Sequence, residues 1–129
     1  IGCGTGILGI GAHLLGAGYL WMVDNDPIAV EVARQNLAAM GLLERIELSC
    51  LDRPEHHRRF DTVVANILAP VLVHLAPQLS ALATSPGRLL LSGLLVSQID
   101  HVEAQFLALG WQRARLHSEG EWALLWLQR

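Results

Sequence analysis

With 129 residues, 52% of them hydrophobic, the chain has material for one packed domain and little to spare. A net charge of −3 with only nine Lys+Arg leaves no basic surface for a phosphate backbone, which excludes autonomous nucleic-acid binding. Two cysteines without a CxxC pair, no signal peptide and no apolar stretch of spanning length predict a cytoplasmic monomer with no membrane partner.

The chain opens Ile-Gly-Cys-Gly-Thr-Gly. Three glycines at alternate positions exceed the needs of a tight turn. They let backbone approach a ligand closely, while the helix that follows aims unpaired N–H groups at it. A turn of this type follows a buried strand to which Ile1 would contribute the last residue, so the first strand and anything upstream are expected to be missing. The next predicted elements are a small-residue helix over Gly6 to Leu15 and a buried strand over 19–24. That strand ends in Asp24, where a carboxylate can accept both hydroxyls of a ribose. Asp26 followed by Pro27 reads as an N-cap and first helical position, a role compatible with binding by Asp24. Ile28 is either core or an apolar face for an adenine ring.

Ala29, Ala33, Leu37 and Met40 share one helical face, with Gly41 as the stop. Arg45 to Cys50 then predicts a strand with Ile46, Leu48 and Cys50 inward. Asp52, just past it, is either a hydrogen-bond acceptor for an adenine amino group or a solvated carboxylate beside Arg53. His56-His57-Arg58-Arg59 is poorly spaced for a metal and reads as a solvated loop.

Phe60 to Asn66 is a near-continuous apolar run, as in a strand covered on both faces. Asn66 closes it, and a buried amide there is costly unless its hydrogen bonds are made. It either caps the helix beginning at Leu68 or faces a ligand. Leu68, Val71, Leu72, Leu75, Leu79 and Leu82 form the stripe of that helix, and Pro77 should kink it or start a second one. Pro86-Gly87 turns into a strand over Arg88 to Ser92. Ser97 and Asp100 resemble a capping box for a helix carrying Ile99, Val102, Phe106 and Leu109. Trp111 to His117 and Glu121 to Leu127 then predict a hairpin around Ser118-Glu119-Gly120, with Trp122 read as core more readily than as the mouth of a site.

The predicted fold class is therefore α/β and Rossmann-like, a mostly parallel sheet ending in an antiparallel hairpin, as in class I methyltransferases. Ligands in such a sheet lie at the carboxyl ends of the strands. The candidates there are Gly2, Cys3, Gly4, Thr5 and Gly6, then Asp24, Asn25, Asp52, Asn66 and the segment Ser92-Gly93-Leu94. Glycines at 2, 4 and 6 give GxGxG, the form found in S-adenosylmethionine-dependent methyltransferases. The GxGxxG frame of dinucleotide enzymes appears only by shifting to Gly4, Gly6 and Gly9, which leaves Asp24 too close.

Gly-Cys-Gly-Thr-Gly-Ile-Leu at 2–8, Val-Asp-Asn-Asp-Pro at 23–27, Val-Val-Ala-Asn-Ile-Leu-Ala at 63–69, Leu-Ser-Gly-Leu-Leu at 91–95 and Glu-Gly-Glu-Trp at 119–122 resemble the catalytic domain of the bacterial ribosomal protein L-eleven methyltransferase family. The first two segments are generic to class I methyltransferases; the last three are more specific. The resemblance implies S-adenosylmethionine-dependent N-methylation of lysine side chains and the N-terminal amine of a large-subunit ribosomal protein. It also implies a separate N-terminal recognition domain, which these residues do not contain. Residues 1–129 would then be the methyltransferase domain, with Asn66 as the catalytic residue, aligning a neutral amine together with the Ile67 carbonyl. A class I methyltransferase acting on a small molecule or RNA is the alternative.

Overall fold

The computed structural model describes residues 1–129, which form two compact units, Ile1–Arg53 and Pro54–Arg129. In the first, helix α1 (Ile7–Leu14), strand β1 (Leu20–Asp24), helix α2 (Pro27–Ala39) and strand β2 (Ile46–Cys50) follow in order. The two strands pair in parallel, Leu20 against Ile46 through Asp24 against Cys50. Ile10, Met22, Ala33, Leu37, Leu42 and Ile46 make the core. The small residues predicted in α1 have a direct use at Gly9, where an added Cβ would fall 2.0 Å from the sulfur of Met22. Asp26 caps α2, accepting from the Ile28 N–H at 2.8 Å, and Gly41 follows the helix with φ of 67°.

Two expectations for this unit change. Met40 is exposed, so the buried stripe of α2 runs through Val30, Ala33 and Leu37. Along β2 burial fades from Ile46 through Leu48 to an exposed Cys50, because the strand runs past the core cluster.

The second unit contains β3 (Phe60–Asn66), α3 (Ala69–Leu82), β4 (Ala83–Leu95), a 3-10 turn at Val96–Gln98, α4 (Ile99–Leu107), β5 (Gln112–Glu119) and β6 (Trp122–Gln128). The sheet order is β3-β4-β6-β5, with β3 and β4 parallel and the other two pairs antiparallel. Val63, Ala65, Leu89, Leu91, Leu125 and Leu127 are buried. Helix α3 packs on β3 and β4, and α4 on β5 and β6. The apolar run of β3 is fully buried only at alternate positions, Val63 and Ala65, while Thr62 and Val64 are half-buried; the run looked continuous because Val64 is apolar too.

Several predicted boundaries move here for identifiable reasons. Helix α3 passes through Pro77 without ending. Pro77 is exposed, where the carbonyl four residues earlier can turn toward water. Leu68 and Val71 are exposed, and Ala69 and Ala76 share the buried face with Leu72, Leu75, Leu79 and Leu82. Strand β4 starts at Ala83 and takes in the Pro86-Gly87 turn, since Gly87 exchanges both backbone hydrogen bonds with Arg129. Gln98, and not Ser97, reaches back, its Oε1 accepting from the Leu95 N–H at 2.9 Å. Leu109 is exposed beyond the end of α4. Trp111 precedes β5 and is 1% exposed, its indole donating to Ser80 Oγ at 2.9 Å. The hairpin turns on Gly120-Glu121, so that Glu119 pairs with Trp122.

Candidate functional site

The glycine turn sits at the carboxyl end of β1. Gly2, Gly4 and Gly6 have φ of 67°, 53° and 83°, left-handed values that side chains disfavour, which is why alternate positions must be glycine. Hydrogen bonds from Cys3 N–H to the Val23 carbonyl (3.0 Å) and from Gly6 N–H to the Cys3 carbonyl (2.8 Å) hold the turn against the strand. Asn36 of α2 adds a clamp, donating from Nδ2 to the Thr5 carbonyl at 2.8 Å. Sequence reasoning missed Asn36; its one signal is a poor helix former placed within α2. Burial pushes the Cys3 thiol above its usual range, and the Asp24 charge adds to the shift, so Cys3 stays a thiol at neutral pH.

Asp24 is bound into the turn itself. Its Oδ2 accepts from the Gly4 N–H at 2.9 Å and its Oδ1 from the Asp26 N–H at 3.1 Å. Each carboxylate oxygen keeps acceptor capacity beyond one bond, so ribose hydroxyls remain within its repertoire. Around it, Asn25 and Asp52 are exposed at the carboxyl ends of β1 and β2, and Ile28 is 73% exposed, which removes the core reading for that side chain. An adenosine-containing cofactor fits this unit on two further observations. Nothing lies within 4 Å of a Cβ built at Gly4, leaving the turn open to a close approach. Helix α1 starts at Gly6 without a side-chain cap, so its first N–H groups are not satisfied by one.

In the second unit Asn66, the last residue of β3, is the register partner of Ser92, three residues before the end of β4. Asn66 does not cap α3, whose N-cap is Leu68, with no side-chain cap. The premise of a buried amide also changes: Asn66 is exposed and lines a cavity of about 440 Å³. Opposite it, Gly93 adopts φ of 76°, and a Cβ there would lie 2.8 Å from the Ile67 carbonyl oxygen and 2.9 Å from Asn66 Oδ1. Two acceptor oxygens are thus gathered against one point of β4. The same cavity is lined by His117, Glu119 and Trp122 of the hairpin. Trp122 is 61% exposed and belongs to the cavity mouth, not the core. His117 was not singled out from the sequence, and Glu119 only as part of the Glu-Gly-Glu-Trp segment, although their spacing of two on a strand puts them on one face. The His56 ring stacks on His57 at 4.4 Å and meets Phe60 of β3 edge-on at 5.3 Å, and its Nδ1 accepts from the Arg58 N–H.

A glycine turn and acidic strand end in one unit, with parallel strands followed by an antiparallel hairpin in the other, define a class I methyltransferase fold. A family model described as ribosomal protein L11 methyltransferase matches residues 1–129. The chain belongs to that family. It is 40% identical over 135 residues to the ribosomal protein L11 methyltransferase of Parasynechococcus marenigrum (strain WH8102), covering 100% of this chain and 47% of the relative. Identity to that of Myxococcus xanthus (strain DK1622) is 43% over 129 residues, 100% of this chain and 44% of the relative. The solved structure of ribosomal protein L11 methylase from Lactobacillus delbrueckii subsp. bulgaricus matches with a TM-score of 0.93 at 32% identity, over 99% of this chain and 66% of that one. The chain therefore spans less than half the length of these two curated relatives.

Proposed function

We propose that residues 1–129 serve as the methyltransferase domain of an S-adenosylmethionine-dependent protein N-methyltransferase. It acts as a cytoplasmic monomer on lysine and N-terminal amines of ribosomal protein L11. The observation that carries this reading is the convergence of Asn66 Oδ1 and the Ile67 carbonyl oxygen at Gly93. Both oxygens are neutral acceptors, the kind of group that the N–H groups of an amine require, and Asn66 lines the adjoining cavity. S-adenosylmethionine, when bound, would supply an electrophilic methyl group, and Gly2, Cys3, Gly4, Thr5, Gly6, Asp24, Asn25 and Asp52 are the residues that would hold it.

An ammonium has no lone pair. Deprotonating a lysine with a reference pKa near 10.4 at neutral pH costs about 4 to 5 kcal/mol. Neither an amide nor a carbonyl is a base, so the two oxygens align the neutral amine and its proton leaves to water. The decisive experiment incubates the intact protein with labelled S-adenosylmethionine and ribosomal protein L11, with and without chemically blocked amines. Label incorporated only with free amines is the expected result, and no incorporation would overturn the assignment. Asn66→Ala should lower kcat by about 10²-fold through lost alignment; unimpaired turnover would remove Asn66 from the mechanism.

Asp24→Asn tests the cofactor side. Both carboxylate oxygens accept from backbone N–H groups, so an amide must aim its own NH2 at one of them. Affinity for S-adenosylhomocysteine, measured by calorimetry, should fall about 10- to 100-fold. An unchanged affinity would mean that Asp24 neither shapes the turn nor meets the ligand.

A further inference from the structure

The cavity of the second unit has two chemically different ends. At the Asn66 end its polar groups, Asn66 and Ser92, are neutral at every accessible pH. At the hairpin end stand Glu119 and His117, with Trp122 opposite Glu119 and Leu124 opposite His117 in the strand register. Glu119 is the acidic residue of the lining, and it is exposed at the tip of the hairpin. Arg115, four positions before Glu119 on β5, lines the neighbouring hollow.

We propose that Glu119 is the residue that selects a cationic acceptor, capturing an alkylammonium at the mouth of the cavity whose other end is Asn66. The proposal rests on the amine-methylating reading given above. Sheet order puts β4 and β6 between β3 and β5, so the two ends are three strand spacings apart, roughly 14 Å at the backbone. That separation has a chemical use. A carboxylate beside an amine stabilises its protonated form and would oppose methylation; the same carboxylate at the entrance raises the local concentration of the cation without touching the reacting nitrogen. The exposed indole face of Trp122 adds a second cation-attracting surface next to Glu119. Leu124 and the indole then line the path of the four-carbon lysine stem, and the amine ends against neutral groups only. Glu119 acts on capture and Asn66 on alignment.

The test uses the intact protein with ribosomal protein L11, and with two peptides differing only in lysine or norleucine at one position. Glu119→Gln should raise KM about tenfold with kcat within twofold, and should flatten the salt dependence of kcat/KM. Glu119→Asp should recover most of the loss. In calorimetry with S-adenosylhomocysteine present, preference for the lysine peptide over the norleucine peptide should shrink in Glu119→Gln. An unchanged KM and peptide preference would overturn the proposal, and so would a fall in kcat at constant KM, which would put Glu119 at the reacting amine. Absence of transfer by the unsubstituted protein would instead overturn the function on which the proposal rests.

Discussion

Under the proposed function, Gly93→Ala should reduce amine methylation by about 10²-fold or more. The alanine Cβ would sit 2.8 Å from the Ile67 carbonyl oxygen, 2.9 Å from Asn66 Oδ1 and 3.0 Å from the Ile67 nitrogen. Two of those three atoms are backbone, so the strain is not relieved by turning a flexible side chain. The φ of 76° adds a left-handed penalty of about 1 to 2 kcal/mol for any residue with a Cβ. Either the end of β4 moves or the corner at Asn66 and Ile67 does, and each spoils the convergence of the two acceptors. Turnover should be measured at a temperature where thermal unfolding shows the variant still folded. Turnover near that of the unsubstituted protein would show that this corner does not position the amine.

Trp111→Ala should destabilise the protein by about 3 to 5 kcal/mol, a large part of the 5 to 15 kcal/mol typical of a folded domain. Trp111 is 1% exposed and anchors the end of the chain. Its indole N–H donates to Ser80 Oγ, and the Arg129 guanidinium lies 4.6 Å over its ring. Arg129 in turn donates to the carbonyls of Ser80 and Ala83, each at 2.7 Å. Removing the ring opens a cavity and leaves a half-buried cation without its aromatic face. Trp111→Phe keeps most of the volume but drops the Ser80 bond, so a smaller loss of about 1 to 2 kcal/mol is expected. Urea unfolding of both variants reads these values. A loss below about 1 kcal/mol for Trp111→Ala would show that the site collapses around the missing ring.

Local signals carried the parts of the molecule in which neighbours in sequence are neighbours in space. The positive φ values of Gly2, Gly4 and Gly6 are a backbone requirement that only glycine meets without strain, so the turn was legible from the spacing of its glycines. The Asp26 cap and the Gly41 stop are equally local, and each appears where its pattern put it. Legibility ended where a residue's surroundings come from distant chain. Cys50 and Met40 fit their apolar stripes yet lie beyond the packed cluster, and Pro77 rides inside a helix whose tertiary packing outweighs one missing hydrogen bond.

The site divides along the same line. By itself the sequence determined an α/β chain with a glycine turn, an acidic strand end and an amide closing the next apolar strand, because each is a short-range pattern tied to one strand's carboxyl end. Tertiary structure decided what those groups touch. It committed both Asp24 oxygens to backbone N–H groups, brought Asn36 to the Thr5 carbonyl, and set Gly93 against Asn66 and Ile67. The order β3-β4-β6-β5 also carried His117, Glu119 and Trp122 to the cavity that begins at Asn66. Strand order arises from pairing between segments tens of residues apart, and no local periodicity encodes it.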